Sequence, residues 1–223
     1  MADVGFSRAS DPISWPVIRD RIAYLKRLVR GVDVLDIGCT GRKGSGRLPD
    51  HTGTLHHAIS PVCASLTGVD IDAAGVDAMR AAGFRVVLGD AASVRLNQAF
   101  DVIIAAEVIE HLSNPGLALA NLKVHLKENG TLVLTTCNPF YYRQQSRILR
   151  RGAIQVNASH TCWFDPLTLA RMLRGSGFAV VKGAWIAPVK RWNPMTFAAR
   201  WRKYWNPNFL VEAKQAEACI EYT

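Results

Sequence analysis

Short apolar runs that each end in acidic residues recur through the first half of the chain. The first run, at 32–37, has branched apolar residues around Asp36, and similar runs follow at 66–72, 84–91 and 100–107. Runs of this length that are apolar at consecutive positions are typical of strands buried on both faces of a parallel sheet. Because the carboxyl ends of parallel strands meet at one edge, the pattern predicts a rim of carboxylates where a ligand would bind.

Stretches with helical periodicity separate these strands, and further apolar runs follow them. The predicted helices are 16–30, 73–82, 115–127, 141–151, 167–174 and 193–205, and the remaining predicted strands are 131–136, 178–186 and 209–213. The alternation of strand and helix predicts an α/β sheet covered by helices on both faces.

A glycine-containing turn follows the first strand, with Gly38 and Gly41 after Asp36. Glycine at such a turn lets backbone N–H groups approach a ligand without a Cβ in the way. The spacing matches neither the phosphate-binding loop of NTPases, G-x-x-x-x-G-K-[ST], nor the dinucleotide pattern G-x-G-x-x-G. Those two ligand classes are therefore disfavoured.

The segment Glu107-Val108-Ile109-Glu110-His111-Leu112 at the end of the fourth strand makes the pattern more specific. Together with the glycine turn and the acidic strand ends, it resembles the class I S-adenosylmethionine-dependent methyltransferases, in particular their small-molecule, ubiquinone-biosynthesis-like branch. The resemblance covers about residues 20–187. It implies a Rossmann-like, doubly wound fold whose mostly parallel seven-stranded sheet ends in an antiparallel last strand.

The resemblance also implies which residues contact S-adenosylmethionine: Asp36, Gly38, Gly41, Asp70, Asp90, Ala91 and Glu107. The two glycines would lie at the methionine part, with Asp36 orienting their loop. Asp70 would accept hydrogen bonds from both ribose hydroxyls, Asp90 would accept one from the adenine amino group, and the Ala91 N–H would donate to the ring. Glu107 occupies a position where the family uses backbone carbonyls against the ammonium group. For any one of these acids alone, the simpler interpretation is a helix N-cap or a solvated strand end.

Departures from the family pattern affect the methionine side of this site. Thr40 and Arg42 stand where the family has glycine, and residues 41–53 resemble an insertion before the first crossover helix. This loop is either surface decoration or a source of a cation, from Arg42 or Lys43, for the cofactor carboxylate. Asp72 competes with Asp70 for the ribose.

Methyl transfer itself needs an aligned acceptor more than acid–base chemistry, but a hydroxyl acceptor must lose its proton to a base. His160 and His111 both follow strands at the predicted ligand edge, and His160 is the first candidate because the long excursion after the fifth strand generally builds the acceptor site. The alternatives are that His160 packs on Trp163 and that His111 only orients its loop. The remaining histidines near the insertion, His51, His56 and His57, are predicted to lie at the surface, and the ligand spacing predicts no metal site.

The net charge of +9 resides in two segments. Residues 138–160 carry four arginines and residues 188–207 carry five basic residues, in both cases without an acid. The helix predicted at 193–205 is either an ordinary packed amphipathic helix or a lid for an anionic or lipid-linked acceptor. It is also suited to peripheral contact with an acidic membrane surface.

Length and composition set the remaining limits. A chain of 223 residues predicts one domain over 1–223, with an N-terminal helical part at 1–30, a cofactor-binding core at 31–187 and a basic, aromatic end at 188–223. The five cysteines form no C-x-x-C pair, and no signal-peptide core is visible, which favours the reducing cytoplasm. The resemblance implies an O-methyltransferase for a sugar, a quinone-type phenol or another secondary metabolite, with anionic or lipid-linked acceptors among the candidates. The alternatives are a nucleic-acid-modifying or nucleic-acid-binding protein that uses the basic, tryptophan-rich segments, and a catalytically silent cofactor-binding subunit.

Overall fold

A computed structural model describes residues 11–41, 53–188 and 201–216 of the chain. The strands are β1 (Val17–Ile18), β2 (Asp33–Ile37), β3 (Ser65–Asp70), β4 (Val86–Leu88), β5 (Phe100–Ala106), β6 (Leu126–Cys137), β7 (Phe178–Ile186) and β8 (Asn208–Gln215). The α-helices are α1 (Arg21–Leu28), α2 (Leu55–Ile59), α3 (Ala73–Ala81), α4 (Pro115–Val124), α5 (Tyr142–Arg151) and α6 (Pro166–Gly175). Short 3₁₀ turns lie at Ser60–Val62, Ile109–His111 and Lys203–Trp205.

The strands form a single mixed sheet in the order β1-β7-β8-β6-β5-β2-β3-β4. Every neighbouring pair is parallel except those of β8, which runs antiparallel to both β6 and β7. The predicted fold class is confirmed, including the antiparallel last strand. The chain order reverses direction across the sheet between β2 and β5, which places the ligand edge of the molecule above these two strands.

An eighth strand, β1, was not predicted and replaces the start of the first helix. Val17 and Ile18 pair with the edge of β7, because the N–H groups of Trp185 and Ala187 bond to carbonyls in this segment. The helix expected from Pro16 therefore begins only at Arg21, where the Asp20 side chain caps it by accepting from the Ala23 N–H at 2.9 Å.

Two other boundaries differ from the sequence prediction. Helix α4 ends at Val124 rather than at residue 127, because β6 begins at Leu126, which pairs with Phe100 of β5. The helix predicted over 193–205 is wrong in its described part, since Trp201 is exposed and the chain forms only the 3₁₀ turn Lys203–Trp205. The rest of that helix prediction lies outside the described residues. So do the first ten residues and residues 42–52 of the insertion, which include Arg42, Lys43 and His51.

The core fills both faces of the sheet. One face is centred on Ile103, Leu132 and Phe209, and the other on Val34, Ile104 and Val133. Strand β7 has Gly183 where the Trp15 ring packs, and a Cβ there would lie 2.0 Å from that ring. This close contact fixes the segment before β1 against the sheet. Among the described residues, no helix combines the length and the apolar character that crossing a bilayer requires.

Candidate active site

The turn after β2 brings backbone N–H groups to the ligand edge of the sheet. Gly38 has a φ of 76°, and its N–H bonds to the Val69 carbonyl at 2.8 Å. A Cβ at Gly38 would lie 2.5 Å from Cγ2 of Val108, so only glycine fits between β2 and the segment after β5. Gly41 also has a positive φ, 83°, and the predicted methionine-side turn therefore has the backbone that it requires.

Asp70 lies at the end of β3 and holds this turn in place. One of its oxygens, Oδ2, accepts from the Thr40 N–H at 3.0 Å and from the Thr40 hydroxyl at 2.7 Å. The other oxygen accepts from the Asp72 N–H at 2.9 Å. A carboxylate offers about four acceptor positions, so three are already occupied. Thr40, which stands where the family has glycine, thus competes directly for the carboxylate expected to bind ribose.

Asp36 is directed into the protein rather than toward the rim. Its side chain is buried, and Oδ2 lies 3.0 Å from Nδ1 of His56, which is also buried. Burial raises the pKa of Asp36, and the neighbouring His56 opposes that shift. The prediction that His56 lies at the surface is wrong, because the ring pairs with Asp36 and packs edge-on against Phe84. His57 is half-buried, and its ring also lies edge-on to that phenyl ring.

Asp90 and Ala91 follow β4 at the same edge. The Asp90 carboxylate is exposed, and its Oδ1 accepts from the Ala92 N–H at 2.8 Å. The Ala91 side chain is buried in the core, so its backbone is fixed at the rim. This arrangement presents the Asp90 carboxylate outward on an ordered turn.

Glu107 ends β5 with a φ of 58°, and it is the only non-glycine with a positive φ among the described residues. Its Oε1 accepts from the Thr135 hydroxyl at 2.9 Å and lies 3.3 Å from Nη1 of Arg21. Its Oε2 accepts from Nδ2 of Asn208 at 2.7 Å. Burial and the neighbouring Glu110 raise the pKa of this carboxyl, and Arg21 opposes them. The positive φ of Glu107 is a strained conformation for a residue other than glycine, and such backbone strain is concentrated at functional sites.

The two candidate bases come together because the excursion after β6 returns to the segment after β5. The N–H and the hydroxyl of Thr161 both bond to the Glu110 carbonyl, at 2.9 and 3.1 Å. Nδ1 of His111 lies 3.1 Å from the Ser159 carbonyl. The rings of His111 and His160 are 4.6 Å apart and nearly perpendicular.

A cavity of about 250 Å³ lies between the end of β6, α5 and the loop that carries His160. Tyr141 and Trp163 give it aromatic walls, and Gln144, Arg147 and His160 supply polar groups. His111 does not line it. A concave pocket with aromatic walls and convergent polar groups suits a small-molecule ligand, and this one distinguishes the two predicted bases by position.

Several residues at this site were missed from the sequence. Arg21 and Asn208 meet Glu107 from opposite ends of the chain, and Cys137 lies with Sγ 3.9 Å from Nδ1 of His160. The one available signal was that Cys137 directly follows the fifth predicted strand, at the edge where the acids lie.

Residues 15–182 match a protein-family model described as a methyltransferase domain. A ubiquinone biosynthesis O-methyltransferase from Azorhizobium caulinodans is 30% identical to the chain over 149 residues, which are 58% of this chain and 53% of that protein. The chain thus spans about half the length of this relative.

Solved structures share the fold. The CcbJ methyltransferase from Streptomyces caelestis superimposes with a TM-score of 0.61 at 15% identity, over 87% of this chain and 88% of that one. The N-methyltransferase NodS from Bradyrhizobium japonicum, in complex with S-adenosyl-L-homocysteine, has a TM-score of 0.56 at 18% identity, over 88% and 86% of the two chains. At these identities the likeness is one of fold.

Proposed function

The chain belongs to the methyltransferase-domain family of class I S-adenosylmethionine-dependent methyltransferases, and we propose that it transfers a methyl group from this cofactor to a hydroxyl group of a small molecule. The observation that carries the proposal is the presence, at one edge of the sheet, of a turn that requires glycine at position 38 and is tied to Asp70, and of a cavity lined by His160. The first would bind the cofactor and the second the acceptor.

The residues at the turn fit the cofactor. Gly38 lets the turn pack directly on Val108 and adopt the positive φ that shapes the predicted methionine-side loop, and Asp70 retains an acceptor position for a ribose hydroxyl. Asp90 carries its exposed carboxylate on the next turn, suited to an adenine amino group. When bound, S-adenosylmethionine supplies a methyl carbon that forms a bond to the acceptor oxygen as its bond to sulfur breaks, with the electron pair staying on sulfur.

The cavity beside His160 would hold the acceptor. Its aromatic walls suit a ring, and its polar groups suit hydroxyl substituents. His160 lines this cavity, so in the metal-free protein it is the group placed to accept the hydroxyl proton, which typically contributes about 10²–10⁴-fold to the rate. The rest of the rate enhancement would come from holding the acceptor oxygen aligned with the methyl group.

Two features support an anionic or lipid-linked acceptor as the finer proposal. Arg147 reaches the cavity, and the other three arginines of 138–160 lie on the same helix, α5. Leu149 on that helix is 86% exposed, and Ile148 is 42% exposed. A basic helix with exposed apolar side chains suits peripheral contact with an acidic membrane surface.

The proposed function is tested by incubating the protein with methyl-labelled S-adenosylmethionine and fractionated extract of its source cells. We expect the label in a small molecule, and mass analysis should place it on an oxygen. Label recovered only in nucleic acid or protein would overturn the proposal. The matched control is the Asp70→Ala variant, which should label the same product more slowly.

A further inference from the structure

We propose that Glu110, Cys137 and His160 form a binding site for a divalent ion of zinc-like chemistry at the floor of the acceptor cavity. These residues come from three separate segments: the 3₁₀ turn Ile109–His111, the last residue of β6 and the loop before α6. One ligand atom from each, a carboxylate oxygen, Sγ and a ring nitrogen, all lie within 4.8 Å of one another. In a tetrahedral zinc site with bonds of about 2.0–2.3 Å, ligand atoms are separated by roughly 3.3–3.8 Å. The Sγ–Nδ1 distance of 3.9 Å is already close to that separation.

The Glu110 carboxyl group is the second, independent observation. The side chain is 1% exposed, and its Oε2 has no hydrogen-bond partner among the described residues. A buried carboxyl oxygen without a partner is destabilising, and native proteins rarely keep one without a function. A cation bound between Glu110, Cys137 and His160 would give this oxygen its missing partner.

Binding of an ion by Cys137 would release the thiol proton, since thiolate rather than thiol is the ligand.

The donor set selects the class of ion. Sulfur, imidazole nitrogen and carboxylate oxygen together suit zinc and the neighbouring transition metals. Magnesium and calcium bind through oxygen ligands instead, so a thiol in the cluster argues against them.

The site is held in place without an ion. Both the N–H and the hydroxyl of Thr161 bond to the Glu110 carbonyl, and the hydroxyl also donates to the Leu112 carbonyl at 2.7 Å. These bonds fix the loop of His160 against the segment of Glu110. Ligands on segments that are already joined pay less ordering entropy when the ion binds.

The open side of the site faces the cavity, because Cys137 and His160 line it. Three protein ligands and one open position are the arrangement of catalytic rather than structural zinc. The identity of the fourth ligand rests on the proposed function, which makes it the acceptor hydroxyl. Binding to the ion would lower the pKa of this hydroxyl, so that its proton would be lost to water. A ring nitrogen that binds metal cannot accept a proton, so in a metal-bound protein His160 would be a ligand and would not be the base.

Cobalt is the probe that tests the site apart from methyl transfer, because a thiolate bound to Co²⁺ absorbs in the near ultraviolet. We expect one equivalent of Co²⁺ to produce this band in the chelator-treated full-length protein, and we expect Zn²⁺ to abolish it. Cys137→Ser should remove the band, whereas Cys63→Ser, at a cysteine outside the cluster, should keep it. His160→Gln, a second variant should Cys137→Ser fold poorly, should weaken Co²⁺ affinity at least about tenfold.

The absence of a band in the wild-type protein, or a band that persists in Cys137→Ser, would overturn the proposal. Cofactor binding by each variant is measured in parallel, which separates loss of the metal site from failure of the proposed function. Methyl transfer that proceeds equally well with and without Zn²⁺ would overturn the catalytic part and leave His160 as the base.

Discussion

At the scale of single residues, two acids near the glycine turn already have partners within the chain. Asp70 accepts hydrogen bonds from Thr40 and from the Asp72 N–H, and the buried Asp36 pairs with His56. Such bonds hold the turn in position before any ligand arrives, which reduces the cost of ordering on binding. They also mean that a ribose hydroxyl must share Asp70 with Thr40.

Gly38 gives the sharpest prediction at this scale. Gly38→Ala should destabilise the protein, because its φ of 76° costs about 1–2 kcal/mol for any L residue and the new Cβ would clash with Val108. Gly31→Ala is the matched control, since Gly31 has a φ of 72° and nothing within 4 Å of a Cβ. Urea unfolding should show a clearly larger loss of unfolding free energy for Gly38→Ala. Equal losses would mean that contact with Val108 is not what requires glycine.

The sequence allowed prediction of single residues where local pattern determines their position. Asp70 and Asp90 lie at the predicted edge because Asp70 ends the apolar strand β3 and Asp90 comes just after β4. The burial of His56 was not predictable, because its partner Asp36 lies twenty residues earlier in the sequence. The positive φ of Glu107 has no local signal either, since it depends on contacts with Thr135 and Asn208 from distant strands.

At the scale of secondary-structure elements, an ion-pair network joins three strands, β2, β5 and β6, at the edge opposite the site. Nζ of Lys127 lies 3.0 Å from Oδ2 of Asp33 and 2.9 Å from Oδ2 of Asp101, at the starts of β2 and β5. The Ser65 hydroxyl and Lys127 lower the pKa of Asp33, and Lys127 lowers that of Asp101.

This network predicts a pH dependence. Carboxyls with lowered pKa contribute stability that is present above their ordinary value, 3.8, and is lost as the pH falls through the lowered value. Lys127→Met should therefore be less stable than the wild-type protein at pH 7, with the difference shrinking below about pH 4. Thermal unfolding of both proteins across this pH range measures the difference in stability. A difference that stays constant with pH would show that Lys127 contributes through packing alone.

Helix α5 carries the prediction for membrane contact. Arg150→Gln with Arg151→Gln should reduce sedimentation with anionic vesicles at low salt, because each basic residue near such a surface contributes about 1 kcal/mol. Arg19→Gln with Arg30→Gln removes the same charge from another exposed part of the chain and should change sedimentation less. Negligible binding of the wild-type protein to anionic and neutral vesicles alike would contradict the membrane proposal.

Elements were predictable in type more than in extent. The helix around 73–82 was predictable from its local apolar positions and the glycine after it, and the basic stretch 141–151 is likewise followed by a glycine, Gly152, in the left-handed conformation. The β1 pairing and the early start of β6 depend on partners distant in sequence, so tertiary pairing overrode the local helical pattern at Val17 and at residues 126–127.

At the scale of the whole molecule, the two halves of the site occupy one edge of the sheet. Strands β2, β3, β4 and β5 lead to the candidate cofactor residues, and the end of β6, α5 and the loop of His160 build the cavity. Strand order alone therefore brings donor and acceptor sites together, whereas the metal cluster needs residues 110, 137 and 160 to meet through loops. That is why spacing along the chain predicted no metal site.

The central claim is that the turn held by Asp70 binds S-adenosylmethionine, and titration calorimetry of wild-type protein, Asp70→Ala and Asp72→Ala tests it most directly. We predict binding of one equivalent to the wild-type protein and a loss of about 1.5–3 kcal/mol for Asp70→Ala, the usual scale of hydrogen bonds to a charged group. Asp72→Ala, whose side chain makes no helix-capping hydrogen bond, should bind nearly as the wild-type protein does. Affinity unchanged by Asp70→Ala, or no binding by the wild-type protein, would contradict the account.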